Sequence, residues 1–429
     1  MGKRLSVVLL APLTLALAVL IGACSKSSSP TGPGAGSVIT VTGKVIGINN
    51  QPVASVPVLV SGLPSANTDA NGSFTIANVT IPYTVTVVDG TNKRALVYRG
   101  LMRGDPTLVW LGTTPGTSHS ATVSGKLVPW TQQGAGVSAR VAYASPDAVG
   151  GGNVTLATGA FSVTSTWYGP TTTTGTVYAL QWSYDANGLP TTFSNFGKRT
   201  GVALLDGTTN ANQNDTIGVA QTGQISGTVS IPAGYTLTGR NLAAVFESKA
   251  SIVVLSDAST VPNFTYNTPN VTGVQMSLVA AIAGATGSSV ESFLSGLAVN
   301  QTGITMTIPA APELSLPVAS ATNITTSTPF SWTQFAGGVH ILEFNPAVTG
   351  QPSYLVLTSA TSDSIPNLTS AGLTLPSSAT YKWSVIGVAP FASVDAAAGT
   401  GGVLGFITNT SAFTGSFGNS ATRSFTTAP

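Results

Sequence analysis

A glycine-centred strand motif recurs three times along this chain, and it constrains the fold more than any other feature. Val41-Thr42-Gly43-Lys44-Val45 returns as Val123-Ser124-Gly125-Lys126-Leu127 and again as Ile225-Ser226-Gly227-Thr228-Val229. Polar and apolar residues alternate around each glycine, the period of a half-buried β-strand. A second landmark keeps step with the first. It reads Asn71-Gly72-Ser73-Phe74-Thr75-Ile76, then Thr158-Gly159-Ala160-Phe161-Ser162-Val163, then Pro262-Asn263-Phe264-Thr265-Tyr266. The motif glycine precedes the landmark phenylalanine by 31, 36 and 37 residues. That regularity predicts three related β-units in series, the third match being the loosest.

Composition supports an all-β reading. Valine and threonine are abundant, and glycine, proline and asparagine punctuate the chain as turn residues do. Charged residues are 7% of the 429-residue chain, against about 25% in ordinary soluble domains. Lysine plus arginine number 16 and acids 14, and Lys3 and Arg4 lie ahead of the first apolar run, so the remainder is formally neutral. No basic footprint for nucleic acid exists. So long a chain exceeds one sandwich, and the expected division is 1–23 leader, 24–37 flexible tether, 38–117, 118–222 and 223–310 related β-sandwiches, and 311–429 a further domain.

The first of these stretches resembles the carboxypeptidase regulatory-like domain. The resemblance rests on Gly43-Lys44-Val45, Gln51-Pro52-Val53-Ala54-Ser55-Val56-Pro57-Val58, Thr68-Asp69-Ala70-Asn71-Gly72-Ser73-Phe74 and Pro82-Tyr83-Thr84-Val85-Thr86-Val87. It covers residues 38–112 best, 118–222 less fully and 223–310 only in outline. It implies a transthyretin-like β-sandwich. It does not imply peptidase chemistry, which needs imidazole and carboxylate zinc ligands that no motif here supplies. Val56, Val58 and Val60 should share one strand face, with Phe74 and Ile76 returning to the core.

The last stretch is similar to a fibronectin type III domain. Phe330-Ser331-Trp332, Val339-His340-Ile341-Leu342-Glu343-Phe344, Leu373-Thr374-Leu375-Pro376, Tyr381-Lys382-Trp383-Ser384-Val385 and the closing Ala421–Thr427 segment bear the likeness. It implies that the Tyr381 hydroxyl braces the corner preceding its own strand. An insertion at about 391–420 departs from the pattern; a short extra hairpin or a mobile binding loop would both fit, and loop length favours the hairpin. In series, this unit is expected at the tip of the molecule.

At the N-terminus an apolar run follows Lys3 and Arg4 and ends in Leu20-Ile21-Gly22-Ala23-Cys24, the only thiol in the chain. This resembles the lipobox of bacterial lipoproteins, and implies cleavage before Cys24 and a diacylglycerol on its sulfur. An uncut membrane helix and simple secretion are the alternatives. Ser25 follows where an aspartate would favour inner-membrane retention, so the resemblance tilts towards the outer membrane of a bacterial envelope.

Chemistry is sparse. The nearest two acids are Asp206 and Asp215, His119 sits in a predicted linker and His340 in a predicted strand, and neither histidine belongs to a metal-binding motif. Asp69-Ala70-Asn71-Gly72 and Asp185-Ala186-Asn187-Gly188 read as turns rather than calcium loops. No catalytic residue, metal ligand or cofactor is expected. Trp167, Trp182 and Tyr184 are the candidate ligand platform, because flat rings on a strand face can stack on sugars; core filling is the competing reading. The leading expectation is a non-catalytic, membrane-anchored envelope lipoprotein with a structural, adhesive or protein-binding role, whose partner is a protein or a glycan. A carbohydrate-binding lipoprotein comes second, and a peptidase-associated hydrolase is remote.

Overall fold

The computed structural model describes residues 34–110, 112, 116–247, 250–403, 405 and 413–429. Cys24, the leader at 1–23 and most of the 24–37 tether lie outside the described residues. Among the described residues no helix is long and apolar enough to cross a membrane.

Unit 1 contains β1 (Val38–Gly47), β2 (Pro57–Val60), β3 (Ala66–Asn67), β4 (Ser73–Thr80), β5 (Tyr83–Asp89), β6 (Arg94–Leu101) and β7 (Thr107–Trp110). β1 lies between antiparallel β4 and parallel β7, while β3, β2, β5 and β6 form the opposing sheet. Val56, Val58, Val60, Phe74 and Ile76 are all buried in the core between them.

Unit 2 repeats the scheme with β8 (Ser118–Val128), β9 (Val137–Ala144), β10 (Val149–Asn153), β11 (Ala160–Tyr168), β12 (Thr172–Tyr184), β13 (Pro190–Leu205), β14 (Thr209–Asn210) and β15 (Asp215–Val219). Here β10 reaches β11 through one residue pair, and β15 pairs with both β13 and β8, so the two sheets close into a ring. Unit 3 has β16 (Gln221–Ser230), β17 (Tyr235–Val245), β18 (Ser251–Asp257), β19 (Asn263–Asn270), β20 (Gln275–Gly284), β21 (Ser289–Leu297) and β22 (Ile304–Thr307). Its β19-β16-β22 and β18-β17-β20-β21 sheets match unit 1 strand for strand.

The repeated motif has a common structural cause. Gly43 lies opposite Phe74, Gly125 opposite Phe161 and Gly227 opposite Phe264 in the antiparallel ladders. On its other side each glycine meets the backbone of the segment running alongside in parallel. A Cβ would lie 2.7 Å from the Pro106 carbonyl at Gly43, 2.4 Å from that of Gln213 at Gly125, and 2.1 Å from that of Ile304 at Gly227. No side chain fits at any of the three.

The C-terminal unit contains β23 (Leu314–Leu316), β24 (Ala321–Ile324), β25 (Phe330–Trp332), β26 (Val339–Pro346), β27 (Ser353–Thr358), β28 (Ser362–Asp363), β29 (Thr380–Ala389), helix α1 (Val394–Ala397), β30 (Gly415–Asn419) and β31 (Arg423–Thr427). β23-β25-β28 face β27-β26-β29-β31 in a fibronectin type III-like sandwich. Phe330, Trp332, Phe344, Trp383 and Phe425 fill its core. Tyr381 does not brace the preceding corner. Its hydroxyl donates to the Pro352 carbonyl at 2.8 Å, and Tyr354 on β27 supplies the corner bond, donating to Leu373 at 3.0 Å.

This unit is not a tip. β27 pairs in parallel with β6 of unit 1 over five residues, Ser353↔Arg94 to Leu357↔Tyr98. At its far edge β30 pairs with both β29 and β21 of unit 3. One hydrogen-bonded path therefore runs β18-β17-β20-β21-β30-β29-β26-β27-β6-β5-β2-β3 through three units. The described part of the 391–420 insertion is correspondingly neither a hairpin nor a free loop. Phe391, Val394, Ala397, Ala398 and Val403 pack into the same apolar cluster as the unit 1 core and Val339, Leu355, Leu357 and Val388 of the C-terminal sheet. The insertion exists where it does because that sheet has an apolar outer face to cover.

Candidate functional site

The aromatic platform does not form. Trp167 is fully buried in the unit 2 core, its Nε1 donating to the Pro170 carbonyl at 2.7 Å. Trp182 is 3% exposed and packs on Phe193. Tyr184 alone of the three is exposed, at 40%. Trp182 and Tyr184 share a face by alternation, but the β12–β13 register shifts between Ser183 and Tyr184 and the strand ends there. Val177 and Ala179 face the core of unit 2, whereas Tyr178, Leu180 and Trp182 face outward into an apolar cluster shared with unit 3. Tyr178 stacks on Phe246 of β17's continuation with centroids 4.5 Å apart. The stripe therefore binds unit 2 to unit 3, a role requiring knowledge of Phe246, which strand periodicity cannot supply.

Polar links border that joint. Lys198 pairs with Glu247, the Phe193 N–H donates to Thr222 Oγ1 at 2.8 Å, and Asn267 Nδ2 donates to the Thr191 carbonyl at 2.9 Å. Beside it lies an open depression of about 710 Å³, lined among others by Phe246, Glu247, Asn270, Thr272, Gly273 and Gln275. Its one carboxylate is the one already engaged by Lys198.

The histidines lie apart. His119 is in β8 rather than a linker, and is buried. Its Nδ1 lies 2.9 Å from Asp206 Oδ2 and its Nε2 3.1 Å from the Gly169 carbonyl, while Asp206 Oδ1 accepts from the Ser120 N–H. The bond from His119 holds the Asp206 carboxyl below its ordinary range. Both ring nitrogens face acceptors, so the ring clips the β8 entrance to two neighbouring turns and presents no free nitrogen to a substrate. His340 is fully buried on β26, where its Nε2 accepts from the Phe335 N–H at 3.0 Å. Burial pushes it down to about 4, keeping it neutral.

Among the described residues no group of three or more His, Cys, Asp or Glu is placed to hold a metal ion. The two Asp-Ala-Asn-Gly segments are turns. Asp69 Oδ1 accepts from Asn71 and Ser73, and Asp185 Oδ1 from Asn187 and Leu189. Arg240 is buried against Asp257 at 2.8 Å, with Tyr266 donating to the same carboxylate and Phe264 stacked beneath the guanidinium. Its other amino group donates to the Val261 and Pro262 carbonyls, so the cluster pins the β18–β19 turn.

The links that integrate the molecule are those that pattern reading missed. Asp395 at the start of α1 accepts from the Met102 and Arg103 N–H groups at 2.9 and 3.1 Å, and Arg103 donates back to the Asp395 carbonyl at 2.7 Å. Arg99 on β6 pairs with Asp363 on β28 at 3.3 Å. Ser292 on β21 bonds Ser416 on β30 at 2.7 Å.

No family model matches the chain, and no curated protein matches it. Solved structures similar to it include the Bacillus anthracis TIE protein, 11% identical over 63% of this chain and 50% of that one, with a TM-score of 0.15. The chain thus spans about half the length of that protein. The FN1–FN3 domains of chicken CNTN1 are 10% identical over 70% of this chain and 91% of theirs, with a TM-score of 0.17. BcpA, the major pilin subunit of Bacillus cereus, is 10% identical over 63% and 99%, with a TM-score of 0.14. These likenesses extend to the class of fold alone.

Proposed function

We propose that this chain is a non-catalytic scaffold of a bacterial envelope, anchored through a lipid on Cys24 and serving a structural, adhesive or protein-binding role. The observation that supports it best is the continuous sheet through units 1, 3 and the C-terminal unit. Such continuity fixes the relative positions of distant surfaces, and fixed geometry is what a display or spacer protein needs. The seven-strand scheme shared by units 1 and 3, with one strand more in unit 2, accords with the carboxypeptidase regulatory-like resemblance, here as a repeated building block. Ser25 after the cysteine supports attachment to the outer membrane, with a tether rich in Ser, Gly and Pro between the lipid and β1.

Intact-mass analysis of membrane-extracted protein tests the anchor, with Cys24→Ala as control. The expected result is a mass gain of acyl groups at Cys24 together with loss of residues 1–23, neither of which C24A shows. An unmodified cysteine would overturn it. The scaffold reading is tested by cross-linking in intact cells. Recovery of the same protein partner with wild type and with His119→Gln is expected, whereas turnover of envelope peptides abolished by H119Q would refute a non-catalytic role.

A further inference from the structure

The closure of unit 2 depends on a short seam. β15 meets β8 through two residue pairs, Asp215↔Leu127 and Thr216↔Val128, and meets β13 through three, Asn195↔Val219, Phe196↔Gly218 and Gly197↔Ile217. At this seam Asp215 is 1% exposed, and its Oδ2 is buried with no hydrogen-bond partner among the described residues. Gly197 faces it so closely that a Cβ there would lie 2.5 Å from Oδ2. Leu127 and Ile217 belong to the apolar core beside it.

Countercharge is scarce around this carboxyl. On β13 the Arg199 guanidinium is committed to Gln213 Oε1 at 3.1 Å and to the Asn214 carbonyl at 2.6 Å. Lys198, its neighbour, is exposed and paired with Glu247. On β8, Lys126 is exposed and one residue out of step with Asp215, and His119 is engaged by Asp206 at the other end of the strand. β12 brings only Tyr178 and Tyr184, of which Tyr178 faces unit 3. β14 brings no ionisable group.

We propose that Asp215 is a proton-operated latch on the unit 2 ring: protonated it keeps the β8–β15 seam shut, and its ionisation drives the seam open. A partner-free oxygen in an apolar pocket tolerates the neutral acid far better than the carboxylate. Burial accordingly pushes Asp215 up to about 7, against the opposing pull of Arg199 and the Thr216 N–H. The opened seam returns the carboxyl to water and its ordinary acidity near 3.8. The open state therefore binds fewer protons between about pH 4 and 7, and opening is favoured as pH rises through that window, levelling off above it.

Amide exchange at Val128 and Ile217, at the β8–β15 seam, reads the opening. After correction for base catalysis, the wild-type opening constant should rise about tenfold per pH unit between about pH 4.5 and 6.5, the linkage of one proton. In Asp215→Asn it should be flat. A carbon-13 titration of the Asp215 side chain in the wild-type protein gives a second readout that needs no variant, with its midpoint expected near 7. A midpoint near the ordinary value, or an equal pH dependence in wild type and D215N, would overturn the proposal.

Discussion

Single residues here act mainly through what cannot be fitted beside them. Gly227 opposes Phe264 on one side and the Ile304 backbone on the other. Gly227→Val should destabilise unit 3 by about 3 kcal/mol or more, since overpacking against backbone has no rotamer escape. Gly134→Ala, in open space, should stay within about 0.5 kcal/mol, both read by denaturant titration. The recurrence of these glycines was legible in the sequence, and so were their distances to the phenylalanines, because strand register converts directly into spacing. The reason for glycine was not legible, because the third backbone arrives some 60 to 90 residues later. Trp182→Ala should cost about 3–5 kcal/mol by emptying the joint with unit 3. His340 adds a pH dependence of opposite sign to that of Asp215. Its folded value of about 4 lies below the ordinary 6.5, so the unfolded chain takes up its proton first and stability falls as pH drops from about 6.5 towards 4. Thermal melts across that range should show this fall in wild type and lose that part of it in His340→Gln.

At the scale of elements, the strands inside each unit could be read from alternation, but the strands joining units broke the pattern. Ala95-Leu96-Val97-Tyr98 in β6 and Tyr354-Leu355-Val356-Leu357 in β27 are unbroken apolar runs, buried on both faces. Such runs mark interior strands, often parallel ones, and they were the available signal for the β6–β27 pairing. The insertion hid its role differently: its small residues resemble a linker, yet α1 sits where Asp395 can accept two N–H groups from the end of unit 1. Asp395→Ala should cost about 1–3 kcal/mol, the penalty for stranding charge-assisted donors, and should raise amide exchange at Met102 and Arg103 before it alters any site in unit 2. Tyr381 and Tyr354 show the limit of reasoning by resemblance. The two hydroxyls exchange the roles expected of one, because β27 carries a second tyrosine within reach of the Leu373 carbonyl.

For the whole molecule, the all-β class and fibronectin-like end were readable from composition and motif, while the closed arrangement was not. Serial order along the chain suggests beads on a tether. The hydrogen-bonded path instead brings residue 353 beside residue 94 and residue 419 beside residue 289. The first and last units therefore form one body. Spin labels at exposed Thr91 and Thr349, in the turns leading into the paired strands β6 and β27, test it in a Cys24→Ala background. Adjacent strands lie about 4.8 Å apart, so pulsed dipolar spectroscopy should give one narrow distance distribution centred below about 25 Å. A broad distribution extending well beyond that distance would show the units moving independently and contradict the continuous sheet.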